Sequence, residues 1–135
     1  MMNGKYPIVP DWDMGVVDVR DVASLEVLAM TKPEAAGKRF VCSADNILMK
    51  DQNNYLIGLY PDLAKRIPTR VPPNWFIKFL SLFMPALKMT AESVGKVRKM
   101  DSSRARETLG WKPRTAKEAI KSAAESAYEF NLIKD

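Results

Sequence analysis

The sequence predicts an α+β fold, helix-rich, with two or three short strands and about five helices. Three observations predict it. Nine prolines cut the 135 residues into short segments, and each proline either bounds a helix or holds its neighbours extended. Two short runs, 16–19 and 39–43, carry the β-branched or aromatic residues of strands. Between and after them, apolar residues return at near-helical spacing behind capping residues. The resulting order is strand, helix, strand and then four helices.

Each element has its own signal. Residues 6–10 read as extended because Pro7 and Pro10 forbid a helix there. Val16, Val17 and Val19 make the first short strand. Asp21 stands where a helix N-cap is expected, and Val22, Leu25, Leu28 and Ala29 follow on one face. That helix ends before Pro33, and Ala36-Gly37-Lys38 is a turn. Arg39-Phe40-Val41-Cys42-Ser43 is the clearest strand. Asp45 or Asn46 is expected to cap a helix running to about Tyr60 and stopped by Pro61. Pro72-Pro73-Asn74 opens another through Met84, stopped by Pro85. Asp101 or Ser102 caps a short helix through Leu109, with Gly110 as its terminator. Thr115 and Glu118 match a capping box. Behind them Ala119, Ile120, Ala123, Ala127 and Phe130 form a narrow stripe fit for close packing.

Two strands are too few for an independent sheet covered on both faces. The helix around 75–84 is apolar on nearly all sides, so it should be buried or paired. Both features predict surface made to meet something else.

Composition excludes several chemistries. The chain is 47% hydrophobic and 27% charged, which suits a globular protein with a real core. It contains no histidine and one cysteine, Cys42. This removes Ser-His and Cys-His catalysis and histidine metal sites, and an internal disulfide is impossible. Cys42, mid-strand, reads as a small buried hydrophobe. Asp11, Asp13, Asp18 and Asp21 are the nearest approach to a carboxylate cluster, yet their settings do not make a metal site. The six glycines stand at 4, 15, 37, 58, 95 and 110. None forms G-x-G-x-x-G or a Walker loop. The most apolar stretch, 75–87, is interrupted by Lys78 and Pro85 and is shorter than the roughly 20 residues a membrane helix needs. The start lacks the apolar core of a signal peptide, so a cytoplasmic protein with no membrane partner is expected.

The net charge is +5. It sits almost wholly in residues 96–114, where Lys96, Arg98, Lys99, Arg104, Arg106, Lys112 and Arg114 face only Asp101 and Glu107. A solvated helix and its flanking loops explain this. Nucleic acid is the alternative partner, but only Trp111 interleaves the stretch with an aromatic ring.

Three ordered stretches carry a family resemblance. Val17-Asp18-Val19-Arg20-Asp21-Val22-Ala23 is followed by Pro33-Glu34-Ala35-Ala36-Gly37-Lys38-Arg39-Phe40-Val41-Cys42-Ser43. Ile67-Pro68-Thr69 then leads to Asp101-Ser102-Ser103, Leu109-Gly110-Trp111-Lys112-Pro113-Arg114 and Asn131-Leu132-Ile133. This succession resembles the C-terminal, substrate-side part of the extended short-chain dehydrogenases/reductases, of the NAD-dependent epimerase/dehydratase superfamily. It is most similar to the dihydroflavonol-reductase-like branch of aldehyde and ketone reductases.

The resemblance implies that residues 1–135 form one C-terminal substrate-binding domain of a larger oxidoreductase. The N-terminal Rossmann domain, which carries the Gly-rich NAD(P) turn and the Tyr-x-x-x-Lys pair, would then be absent and would be the principal partner. Tyr6, Tyr55, Tyr60 and Tyr128 have Pro10, Leu59, Ala64 and Leu132 four places on, never lysine. The chain alone is therefore expected to be inactive and to bind no NAD(P), with no catalytic or cofactor residue of its own. In the whole enzyme the tyrosine would protonate the carbonyl oxygen as hydride arrives.

What the resemblance leaves to this chain is a wall for a small carbonyl substrate. Pro10, Trp12, Met14 and Gly15 are the expected substrate-binding residues, Trp12 and Met14 as apolar surface and Gly15 as room for a bulky group. Phe76, Phe79 and Phe83 are better explained as core than as a roof over that site. A non-enzymatic binding module or a self-associating homo-oligomer, motivated by the apolar helix, is the alternative reading.

Overall fold

The computed structural model describes residue 9, residues 11–82 and residues 99–133. Its elements are β1 (Asp13–Val16), α1 (Val19–Thr31), β2 (Asp45–Leu48), α2 (Met49–Leu59), α3 (Asn74–Ser81), α4 (Ser103–Leu109) and α5 (Ala116–Glu129). Short 3-10 turns follow α1 at Pro33–Ala35 and α2 at Pro61–Lys65. The α+β, helix-rich fold class is as expected, and among the described residues the strands number two.

The two strands form an antiparallel ribbon with Asp13 opposite Leu48, Met14 opposite Ile47, Gly15 opposite Asn46 and Val16 opposite Asp45. Backbone bonds continue it at both ends, from Ala44 N–H to the Val16 carbonyl and from Met49 N–H to the Trp12 carbonyl. The described residues build two apolar cores, and the ribbon packs against the second through Val16 and Ile47. Leu25, Ala35, Ala105, Leu109 and Trp111 make one, with Val17, Phe40 and Cys42 against it. Leu56, Leu63, Ile67, Ile120 and Ala124 make the other, with Val16 and Ile47 against it.

Four expectations need correction. The first strand lies at Asp13–Val16, earlier than expected. Val19 is the first residue of α1 and is exposed. The N-cap is Asp18, whose carboxylate takes the Arg20 N–H at 2.9 Å, so the helix starts before Asp21. Asp21 is instead buried inside the first turn. Asp45 and Asn46 do not cap α2. They lie in β2, and α2 starts from Leu48 with no side-chain cap. The first of its four free N–H groups, that of Met49, is satisfied by the Trp12 carbonyl.

The fourth correction is the largest. Residues 39–43, the clearest strand by sequence, join no ladder among the described residues. Antiparallel to β1, they run on past Val16, where the opposing chain has already turned into α1 at Asp18. A strand without a neighbour has the pattern but not the pairing.

The C-terminal expectations hold more closely. Gly110 ends α4 in the left-handed region at φ 65°, a conformation that costs most side chains about 1 kcal/mol or more. Ser102 is the N-cap position of α4, but the Ser103 N–H is taken by the Asp101 carboxylate at 2.9 Å. Thr115 and Glu118 form the reciprocal capping box of α5. α3 ends at Ser81. The rest of the expected helix, with Phe83, lies outside the described residues, as do residues 6–8 and Pro10 of the expected extended segment. α3 is not buried all round, since Ile77 is buried while Trp75, Phe76, Phe79 and Leu82 are exposed.

Candidate functional site

An open groove of about 660 Å³ lies between β1, α2 and α5. Met14, Gly15, Val16 and Val17 form one side, Gln52 and Leu56 the second, and Ala119, Ile120, Ala123, Ala124 and Ala127 the third. Leu132 and Ile133 close one end. The small alanines follow from the stripe on α5, which keeps that wall low. Gln52, four residues before Leu56, stands on the same helical face. Its carbonyl oxygen is buried with no hydrogen-bond partner among the described residues.

Of the expected substrate-binding residues, the groove brings together Met14 and Gly15. Trp12 is half-buried and not part of it, its carbonyl being the acceptor for α2. Pro10 lies outside the described residues. Gly15 does not leave room for a bulky ligand group. A β-carbon there would come within 2.8 Å of Met100 Cγ and 2.9 Å of Ser43 Oγ. Met100 is held over the ribbon by Asn46, whose side-chain amide accepts from its N–H at 3.0 Å and donates to its carbonyl at 3.1 Å. The glycine thus admits Met100, and Gly15 meets the groove only through its backbone. Sequence reading missed Gln52, and periodicity from Leu56 is the signal that places it.

No acid-base pair is built into this groove, whose side-chain lining carries no charge. The ionised groups work elsewhere. Arg20 binds Asp18 through Nε at 2.8 Å and Nη2 at 2.6 Å, and its Nη2 also reaches Ser122 Oγ. The Arg20 guanidinium holds the buried Asp18 carboxyl well below the usual carboxylate range. Asp21 takes Arg114 Nη1 at 2.6 Å and the Arg114 N–H at 2.8 Å, while its backbone carbonyl accepts Trp111 Nε1–H at 2.9 Å. Burial pushes the Cys42 thiol up, as suits a packing residue. Among the described residues no cluster of His, Cys, Asp or Glu could hold a metal ion, and no helix is long and apolar enough to cross a membrane.

In the basic stretch, Lys96 and Arg98 lie outside the described residues. Arg106 is engaged by the Ala44 carbonyl and Ser102, and Arg114 by Asp21.

No protein-family model matches the chain. By sequence and fold it is homologous to Gre2, an extended short-chain dehydrogenase/reductase. The particular relative is the NADPH-dependent methylglyoxal reductase GRE2 of Saccharomyces cerevisiae, 28% identical over 122 residues, 90% of this chain and 31% of the yeast protein. The crystal structure of yeast methylglyoxal/isovaleraldehyde reductase Gre2 with NADPH superposes with a TM-score of 0.65 at 26% identity, covering 96% of this chain and 37% of that one. Two others share the fold. Gox2253 has a TM-score of 0.69 at 19% identity, over 98% of this chain and 42% of its own. Candida albicans Gre2 with NADPH has 0.63 at 21%, over 94% and 34%. The chain therefore spans about a third of the length of these relatives.

The NADPH of the yeast and Candida structures would find no Gly-rich turn among these residues. Phosphates are held by free N–H groups at a helix N-terminus, reached through a Gly-rich turn. Here the first turns of α1, α2 and α5 carry Asp21, Asp51 and Glu118, and α1 and α5 are capped by their own side chains. The carboxylate at the start of α4 is Asp101. A phosphate would meet negative charge at each of these four ends, while the first turn of α3 carries no acidic residue.

Proposed function

We propose that this chain is the substrate-side part of an NADPH-dependent reductase of small aldehydes or ketones, similar to the dihydroflavonol-reductase-like branch. The groove receives the apolar portion of the carbonyl compound. Met14 supplies the apolar wall on β1, and Gln52 and Leu56 face it from α2. Dinucleotide binding and proton delivery fall to a Rossmann part outside these residues. The observation that carries this reading is the identity with a methylglyoxal reductase across 90% of the chain.

The test is NADPH absorbance with the purified chain and a panel including methylglyoxal and isovaleraldehyde. The expected result is no turnover, with amide NMR shifts at Met14 and Val16 when the apolar aldehyde is titrated in. Reproducible NADPH oxidation that depends on the chain would overturn the assignment of the chemistry to another part. Unmoved Met14 and Val16 signals would remove the groove from the substrate path.

A further inference from the structure

We infer that α3 is a surface-binding helix and that its partner is an anionic lipid bilayer. Three observations carry this.

The first is an outward apolar stripe. Trp75, Phe79 and Leu82 stand four and three residues apart, so at about 3.6 residues per turn they share one side of the helix. Leu82 follows the last helical residue and is kept in register by its N–H on the Phe79 carbonyl. All three are exposed, Trp75 at 69% and Leu82 at 77%. Phe76 widens the stripe, its ring set edge-on to Trp75. Ile77, about half a turn from the stripe, is buried and fastens α3 to the body of the protein. A fixed helix that turns aromatic rings outward presents a binding surface.

The second is charge. Between Asp62 and Glu92 the sequence holds Lys65, Arg66, Arg70, Lys78 and Lys88 and no acidic residue. Lys65 and Arg70 are exposed. Arg70 precedes Asn74 by four residues, so the chain keeps them within about 14 Å of each other. A second copy of the chain would bring this charge against itself, which disfavours it as the occupant. An anionic surface is attracted instead, by about fivefold in affinity for each basic residue near it.

The third is the kind of side chain. Trp75 suits the headgroup level of a bilayer, and Phe79 and Leu82 suit the acyl boundary below it. Single-stranded nucleic acid also meets aromatic rings beside basic residues, but its bases stack on open ring faces. Here Trp75 and Phe76 set edge against face, and Leu82 offers no ring. α3 is too short to span a bilayer and would lie in the interface plane. The expectation of no membrane partner was drawn from spanning segments and does not bear on this mode of contact.

The test mixes the intact 135-residue chain with vesicles of phosphatidylcholine alone or of phosphatidylcholine and phosphatidylglycerol in equal parts. Trp111 is buried and Trp12 half-buried, so Trp75 dominates any change in tryptophan emission. At low salt the anionic vesicles should sediment about tenfold more chain than the neutral ones, and added salt should release it. Emission should shift to the blue, and brominated acyl chains should quench it. Arg70→Gln should weaken binding about fivefold. Trp75→Ser with Phe79→Ser should abolish it with circular dichroism unchanged. If that double variant misfolds, quenching of the unaltered chain by brominated lipid decides the matter alone.

Absence of binding overturns the proposal, as does equal binding to both kinds of vesicle or binding without quenching. A blue shift that grows with chain concentration in the absence of lipid would give the stripe to a second copy. A shift produced by a single-stranded oligonucleotide and not by vesicles would give it to nucleic acid. Either result also overturns the proposal.

Discussion

Asp18 does two jobs with one carboxylate. It caps α1 through the Arg20 N–H and pairs with the Arg20 guanidinium, while its side chain is almost wholly buried. The hydrogen bond from Arg20 lowers its pKa in the folded chain, against an unfolded value of about 3.9. A depressed carboxylate stabilises the fold fully above the unfolded pKa, and that contribution is lost as pH falls through the unfolded value toward the folded one. Urea melts between pH 5 and pH 2 should therefore show stability falling with acid. Asp18→Asn keeps an N-cap acceptor of similar quality but cannot titrate, so its acid slope should be shallower. An unchanged slope would assign the acid sensitivity to Asp101 and Glu118, whose carboxyls the backbone N–H groups of Ser103 and Thr115 also hold low.

Asp21 shows what residue identity alone does not reveal. Its sequence position predicts a cap. In the structure it is a buried hub that joins α1 to the segment after α4 through Trp111 and Arg114. Both residues lie about ninety positions further along the chain, so local patterning carries no trace of the pairing.

At the scale of elements, the ribbon depends on a glycine for a reason unrelated to turns. Gly15 lies in β1 with the Met100 side chain across it, and Asn46 on the opposing strand clamps the Met100 backbone. Gly15→Ala should cost about 1–3 kcal/mol in a urea melt, the usual cost of overpacking. Met100→Ala in the same chain should recover most of that loss. If Met100→Ala does not relieve it, the buried Ser43 hydroxyl is the contact that resists.

Helix ends were read well where a local rule acts, as at Thr115, Glu118 and Gly110. They were misread at α2. There a strand enters the helix directly and a distant carbonyl, Trp12, replaces the side-chain cap. A residue such as Asn46 carries cap propensity in either setting. Only the pairing with β1 decides that it serves a strand.

At the scale of the molecule, the described residues form two apolar cores that share no buried residue. Substitutions in different cores should then act independently. Trp111→Phe removes the indole N–H while the Ser24 hydroxyl still donates to the Asp21 carbonyl, a loss of about 0.5–1.5 kcal/mol. Ile120→Val removes one methyl from the other core and should cost about 1 kcal/mol. The double variant should fall within about 0.5 kcal/mol of the sum. A larger interaction would mean that the ribbon transmits strain from one core to the other.

The groove was only half legible. Met14 and Gly15 were singled out with their strand, but the opposing wall needed the meeting of α5 with β1, more than a hundred residues apart in sequence. The alanine stripe was visible as a place for close packing. Part of it packs, through Ala119 and Ile120, and Ala123 and Ala127 line the open groove with Met14.

By itself the sequence determined the helix-rich α+β class, the proline-bounded segments, the caps at Thr115 and Gly110 and the resemblance to the reductases. These rest on backbone sterics and on side-chain bonds within a few residues. Only the tertiary structure decided that Asp45–Leu48 pairs while residues 39–43 do not, that Asp21 is a hub, and that Gly15 makes room for Met100. Pairing, burial and close approach depend on which distant neighbour arrives, and a strand's hydrogen bonds exist only when its partner does.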